Sequence, residues 1–117
     1  MAGTSRNLIY HNPKCSTSRK TLDLLRDNGI EPEIVQYLKT PPSRAELVNM
    51  IKDAGIDVRT AVRKREALYS ELNLADASDD ELLDAMAAHP ILIERPFVVT
   101  SKGTRLARPI DAVRDIL

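Results

Sequence analysis

Leu8-Ile9-Tyr10-His11-Asn12-Pro13-Lys14-Cys15-Ser16-Thr17-Ser18-Arg19 is the stretch whose reading decides the fold. Leu8-Ile9-Tyr10 reads as a short buried strand, and His11-Asn12-Pro13 as the turn that ends it. Beyond the turn, Cys15, Ser18, Leu22, Leu25 and Gly29 follow the three-and-four spacing of one helix face, with the glycine at a natural C-terminal stop. A helix therefore starts near Cys15. Glu33 to Leu38 carries Ile34, Val35 and Tyr37 and fits a second strand. The chain thus opens strand–helix–strand, an order that favours a parallel pair.

Pro41-Pro42-Ser43 then breaks the chain, and Ser43 with Glu46 forms a capping box before Leu47, Met50, Ile51 and Ala54 on one helical face. Gly55 ends that helix. Val58 to Glu66 reads as another short helix, and Ser78 with Glu81 as a second capping box before Leu82, Leu83 and Met86. After Pro90 the pattern changes. Phe97-Val98-Val99-Thr100, a Ser-Lys-Gly-Thr turn and Arg105-Leu106-Ala107 read as a hairpin, and Pro109 opens a terminal helix. This order fits an α/β class, a thioredoxin-like fold with a mixed central sheet and a helical insertion over about residues 43–90. Residues 1–117 are expected to form a single domain, with residues 1–6 as a short flexible tail.

At 117 residues the chain is one domain's worth, able to bury roughly two-thirds of the surface that its unfolded form exposes. Seventeen basic residues balance seventeen acidic ones, so no global field draws the protein to nucleic acid or an anionic membrane. Any anion it binds must be captured by a local site. Apolar runs such as Ile91-Leu92-Ile93 fall far short of the roughly 20 residues of a membrane helix, so a soluble protein is expected. The first residues lack the apolar core of a secretory signal. One cysteine forms no internal disulfide, which points to a reducing compartment, the cytoplasm.

A cysteine at the start of a helix meets unpaired backbone N–H groups, the positive end of the helix dipole and, here, the charges of Lys14 and Arg19. Each favours thiolate over thiol; such settings lower a cysteine pKa from about 8.5 to roughly 3.5–7.5. The hydroxyls of Ser16, Thr17 and Ser18 are candidates to donate to the sulfur or to a bound oxyanion. The alternative is a small residue packed in a core, against which the polar neighbours on both sides argue. Two motifs are missing. Ser18 stands where a Cys-x-x-Cys pair needs its second thiol, and Thr21 where the Cys-x5-Arg phosphate cradle of low-molecular-weight tyrosine phosphatases needs arginine. His11 is open to three readings: orienting Asn12 and the loop, stabilising the thiolate, or packing at a strand end. One Cys with His11 and His89 far apart matches no zinc spacing, so no metal is expected.

Read as a whole, the sequence resembles the glutaredoxin-coupled arsenate reductases from about Leu8 to the C-terminus. The blocks that carry the resemblance are Tyr10-His11-Asn12-Pro13 with Cys15 and Ser18-Arg19, Tyr37-Leu38 with Pro41-Pro42-Ser43-Arg44, Leu47-Val48, and Val58-Arg59 with Arg63-Lys64. They continue through His89-Pro90-Ile91-Leu92-Ile93, Arg95-Pro96, Val98-Val99-Thr100, Gly103-Thr104-Arg105-Leu106 and Arg108-Pro109. The resemblance implies that Cys15 is the nucleophile and that Arg63, Arg95 and Arg108 hold the oxyanion. His11, Asn12, Ser18, Arg19 and Pro96 would support them. The Arg95-Pro96 step resembles the cis-proline site of thioredoxin folds, which would bring Arg95 near Cys15.

Guanidinium forks suit a tetrahedral oxyanion because they donate paired hydrogen bonds and keep their charge at any physiological pH. The resemblance further implies arsenate as substrate, with phosphate or sulfate as analogues, glutathione as co-substrate and a glutaredoxin as transient partner. No bound cofactor is expected, and the protein is expected to act as a monomer. The rival readings are a glutathione-dependent thiol transferase and a non-enzymatic thioredoxin-fold regulator. Ser18 removes the redox switch of the latter, and the three arginines favour arsenate.

Overall fold

A computed structural model describes residues 6–117. The tail expected over residues 1–6 lies outside the described residues as far as position 5; Arg6 is described and donates to Glu33 at 2.8 Å. The described chain divides into two compact units, one made of residues up to Thr40 together with Arg95–Leu117, the other of Pro41–Glu94. The expected insertion, about 43–90, falls within the second.

In the first unit, strand β1 (Leu8–Tyr10) runs into helix α1 (Ser16–Asp27), which returns the chain to strand β2 (Glu33–Val35). β1 and β2 pair in parallel, with Ile9 beside Ile34, as two strands joined by a helical crossover do. Strands β3 (Phe97–Thr100) and β4 (Gly103–Leu106) form a hairpin whose β3 lies antiparallel to β1, Val98 opposite Ile9. The result is a mixed four-stranded sheet of order β2-β1-β3-β4, the thioredoxin-like α/β core read from the sequence. Ile9 and Val98 from adjacent strands meet Leu22 and Leu25 of α1 together with Ala107, Val113 and Ile116, all buried in one cluster. Each such aliphatic side chain contributes roughly 1.5–3 kcal/mol of transfer free energy.

α1 stops where its glycine dictates. Gly29 has φ +78, a conformation that costs a residue with a Cβ. This lets Ile30 N–H reach Leu25 O at 2.9 Å and Gly29 N–H reach Arg26 O at 3.0 Å, the paired closure that satisfies a helix's last carbonyls.

The second unit holds helices α2 (Arg44–Asp53), α3 (Val58–Ala61), α4 (Ala67–Glu71) and α5 (Asp79–Ala88). Both capping boxes form: Ser43 and Ser78 accept from the backbone of Glu46 and Glu81, whose carboxylates reach back to the cap N–H groups. Leu47, Met50 and Ile51 of α2 and Leu82, Leu83 and Met86 of α5 are buried. Arg44 ties the two helices together through Asp84 at 2.7 Å and Asp80 at 3.0 Å. Among the described residues no helix is long and apolar enough to cross a membrane.

Several segments depart from the sequence reading. β2 ends at Val35 rather than Leu38 because Gln36 O accepts from Lys39 N–H at 2.9 Å and Thr40 N–H at 3.0 Å, turning the chain. The helix expected over Val58–Glu66 stops at Ala61. Val62 is extended and bridges Ile93, with Arg63 N–H on Leu92 O at 2.7 Å and Glu94 N–H on Ala61 O at 2.8 Å, so these backbone groups are satisfied across a ladder instead. α4 has no side-chain cap, so no local signal in the sequence marks its start. The hairpin strand spans Gly103–Leu106 because Gly103 pairs directly with Thr100 across a two-residue loop. The terminal segment, Ile110–Ile116, is a 3₁₀ helix rather than an α-helix. Its apolar side chains Ile110, Val113 and Ile116 recur every third residue, which is the 3₁₀ period.

Leu25→Ala is expected to destabilise the protein by about 2–5 kcal/mol through loss of contacts and a residual cavity. Ser43→Ala is expected to cost about 1 kcal/mol through the lost cap. Urea unfolding followed by circular dichroism measures both, and a Leu25 variant as stable as the parent would remove Leu25 from the core.

Candidate active site

The register of the sheet collects the chemistry at one end. Val35, Tyr10, Phe97 and Leu106 form a row across the four strands. Just past that row the chain leaves β1 toward Cys15, enters β3 from Arg95 and leaves β4 toward Arg108. Arg95 and Arg108 flank the hairpin symmetrically, and Arg108 Nε donates to Arg95 O at 2.8 Å. Both Arg95-Pro96 and Arg108-Pro109 are cis.

Cys15 is the N-cap of α1, in extended conformation and making no side-chain capping bond of its own. The loop before it is braced from within. Cys15 N–H donates to Asn12 O at 3.0 Å, and Asn12 Oδ1 accepts from Lys14 N–H at 3.0 Å, a side-chain-closed turn. Ser18 Oγ, fully buried, lies 2.6 Å from His11 Nδ1 and accepts Asn12 N–H at 3.1 Å. Arg19 Nη1 closes the outside by donating to Pro13 O at 2.9 Å. His11, Asn12, Ser18 and Arg19 are therefore tied into the cysteine loop by hydrogen bonds, and His11 is also buried at the end of β1.

The sulfur is half-buried. Burial pushes the thiol pKa up, but the Ser18 N–H, the Arg95 guanidinium and the Thr17 N–H together outweigh it and leave the pKa below its ordinary value. Arg108 Nη2 stands 3.8 Å from Sγ. The cation acting on the thiol is thus Arg95, from across the sheet, and not Lys14 or Arg19, which the sequence had offered. Arg19 acts instead on His11, whose pKa is lowered first by burial and then by the charges of Arg19 and Arg26. The neutral form of His11 is therefore favoured. The Ser18 hydroxyl, expected to serve the sulfur, is committed to the loop; its backbone N–H does that work.

Arg63 lies in the helical unit. Its Nε donates to Glu66 at 3.0 Å and its Nη1 to Glu94 at 3.1 Å, with all three side chains largely buried. The structure brings Cys15, Arg95 and Arg108 together within the sheet unit and holds Arg63 between two carboxylates in the other. His89 caps the end of α5 and is exposed. Among the described residues no three His, Cys, Asp or Glu side chains are grouped to hold a metal ion.

The family model described as the ArsC family matches residues 10–116. The chain belongs to the ArsC family. Within it, an arsenate reductase of Rhizobium meliloti (strain 1021) is 60% identical over 111 residues, which cover 93% of this chain and 79% of the relative. An arsenate reductase of Escherichia coli is 56% identical over the same shares. Among solved structures, an arsenate reductase from Vibrio cholerae superposes with a TM-score of 0.91 at 49% identity, covering 98% of this chain and all of its own.

For this ArsC-family chain, sequence reasoning missed the two carboxylates that hold Arg63. Glu66, three residues on, was a readable signal; Glu94, far along the chain, was not.

Alkylation of Cys15 by iodoacetamide across pH is expected to show a midpoint below that of an ordinary thiol. Because the Arg95 cation favours thiolate, Arg95→Ala should move the midpoint upward, while Arg19→Ala should leave it nearly in place. An unshifted midpoint in the Arg95 variant would remove Arg95 from the thiol's surroundings.

Proposed function

We propose that this protein reduces arsenate to arsenite with Cys15 as nucleophile. The observation that carries the reading is the Cys15 sulfur, at a helix N-terminus with its pKa lowered, beside Arg95 and Arg108. Its support is the 60% identity to an arsenate reductase. Backbone N–H groups at a helix start and guanidinium forks are what a tetrahedral oxyanion requires. Arg95 and Arg108 hold the anion.

The thiolate attacks As(V), and one arsenate oxygen takes up two protons and leaves as water, giving a cysteine–thioarsenate adduct. Glutathione attacks this adduct, the arsenic accepts two electrons and departs as arsenite, and the two sulfurs end as a mixed disulfide that a glutaredoxin reduces. In sum, one arsenate and two thiols give one arsenite, one disulfide and one water. With one cysteine in the chain, the second thiol must come from outside. Such donors belong to a reducing compartment, which fits a cytoplasmic activity. No bound cofactor takes part.

Arsenite formation should be followed with purified protein, arsenate, glutathione and glutaredoxin. Turnover is expected with that system and little or none with thioredoxin and its reductase alone; efficient turnover with thioredoxin alone would sink the mechanism. No arsenite under any condition would favour the thiol-transferase or regulator reading. Cys15→Ser should abolish reduction with little change in stability. Arg95→Ala should lower kcat/KM about 10²-fold, on the scale of one lost oxyanion donor, with Arg95→Lys restoring only part.

A further inference from the structure

Where β1 and β2 end, the strand order β2-β1-β3-β4 lines up four pieces of chain: the 36–39 turn, the Cys15 loop, Arg95 and Arg108. The arginines lie on one flank of the cysteine loop. On the other flank is a cleft of about 360 Å³, walled by residues 11–14 on one side and by Gln36, Leu38 and Lys39 on the other. All of these residues belong to the sheet unit.

The cleft's wall ends at Lys14, the residue before Cys15, and consecutive Cα atoms are only about 3.8 Å apart. A ligand seated there therefore lies against the loop that leads into Cys15 while leaving Arg95 and Arg108 to an oxyanion. Lys14 and Lys39 are both exposed, and among the described residues neither ammonium has a carboxylate partner. Leu38 is 43% exposed, unusual for a large apolar side chain. Two unpaired cations, an amide at Gln36 and an apolar contact describe a short peptide with carboxylates at its ends. The volume admits a small molecule and not a folded partner.

We propose that this cleft is the subsite for the reducing co-substrate, a small thiol peptide with terminal carboxylates such as glutathione, its thiol turned toward Cys15. This rests on the reading that an external thiol completes the reaction. The two substrates then approach the same sulfur from opposite flanks, arsenate from the arginine side and the thiol from the lysine side, without competing for the same cations.

The test separates this inference from the reading it rests on by using S-methylglutathione, which keeps both carboxylates and cannot react. Titrated into ¹⁵N-labelled protein without arsenate, it is expected to shift the amides of His11, Gln36, Leu38 and Lys39. Lys39→Glu should abolish those shifts and Lys39→Arg retain them; Lys39 is exposed, so neither change disturbs the fold. In the arsenate assay, Lys39→Glu should raise KM for glutathione by on the order of tenfold, the scale of a partly exposed ion pair reversed in sign. The same variant should leave turnover with 2-mercaptoethanol, which has no carboxylate, unchanged. Binding of S-methylglutathione at these amides in a protein that makes no arsenite would uphold the subsite and refute the arsenate reading. Arsenate turnover with an unchanged glutathione KM in Lys39→Glu, or no shift at these amides, would overturn the subsite.

Discussion

A sulfur anion in a half-buried position is costly, and the sheet unit is built around meeting that cost at Cys15. Desolvation alone would protonate the thiol. Two kinds of donor reverse this: the N–H groups of Ser18 and Thr17, open because a helix's first turn lacks intrahelical partners, and the Arg95 guanidinium. The first kind requires that α1 begin immediately after Cys15, and hence that β1 end at Tyr10 and the loop of residues 11–14 hold its shape. The buried Ser18–His11–Asn12 network supplies that shape. The second requires a β3 that starts opposite the end of β1, which the pairing of Tyr10 with Phe97 provides.

The same register explains why the arginines come in a pair. Phe97 faces Leu106 in the hairpin, and Ala107 N–H donates to Pro96 O at 2.9 Å. One step further out, Arg95 and Arg108 fall opposite each other. Burying the charge of Arg95, a residue only 8% exposed, is unfavourable without anionic company. The Cys15 thiol, its pKa lowered by Arg95 among other groups, offers such a charge when ionised, so cysteine and arginine favour each other's charged forms. Arg63 solves the same problem differently, by standing between Glu66 and Glu94 where the Val62–Ile93 bridge anchors its backbone.

Much of this is legible in the amino-acid sequence. The strand–turn–helix opening, the position of Cys15 at the helix start, both capping boxes, the hairpin and the mixed sheet follow from residue spacing and from Gly29, Gly55, Ser43 and Ser78. These signals are local: a cap or a glycine stop acts within one turn of helix, so neighbours in sequence suffice to read it.

What the sequence could not decide is which of several chemically equivalent groups reaches the sulfur. Lys14, Arg19 and Arg95 are all cations, and nearness in sequence favoured the first two. In the folded chain Arg19 turns outward to Pro13 O while Arg95 arrives across the sheet. Ser18 offers both a hydroxyl and an N–H, and only packing against His11 determines that the hydroxyl braces the loop. The end of α3 at Ala61 was likewise settled by distant partners, the backbone of Leu92–Glu94. Sequence determined the elements and the position of Cys15 at the helix start, because those depend on interactions within a few residues. Tertiary structure decided the thiol's cation and the loop's hydrogen bonds, because strand register joins residues that the chain holds eighty or more positions apart, as it does Cys15 and Arg95.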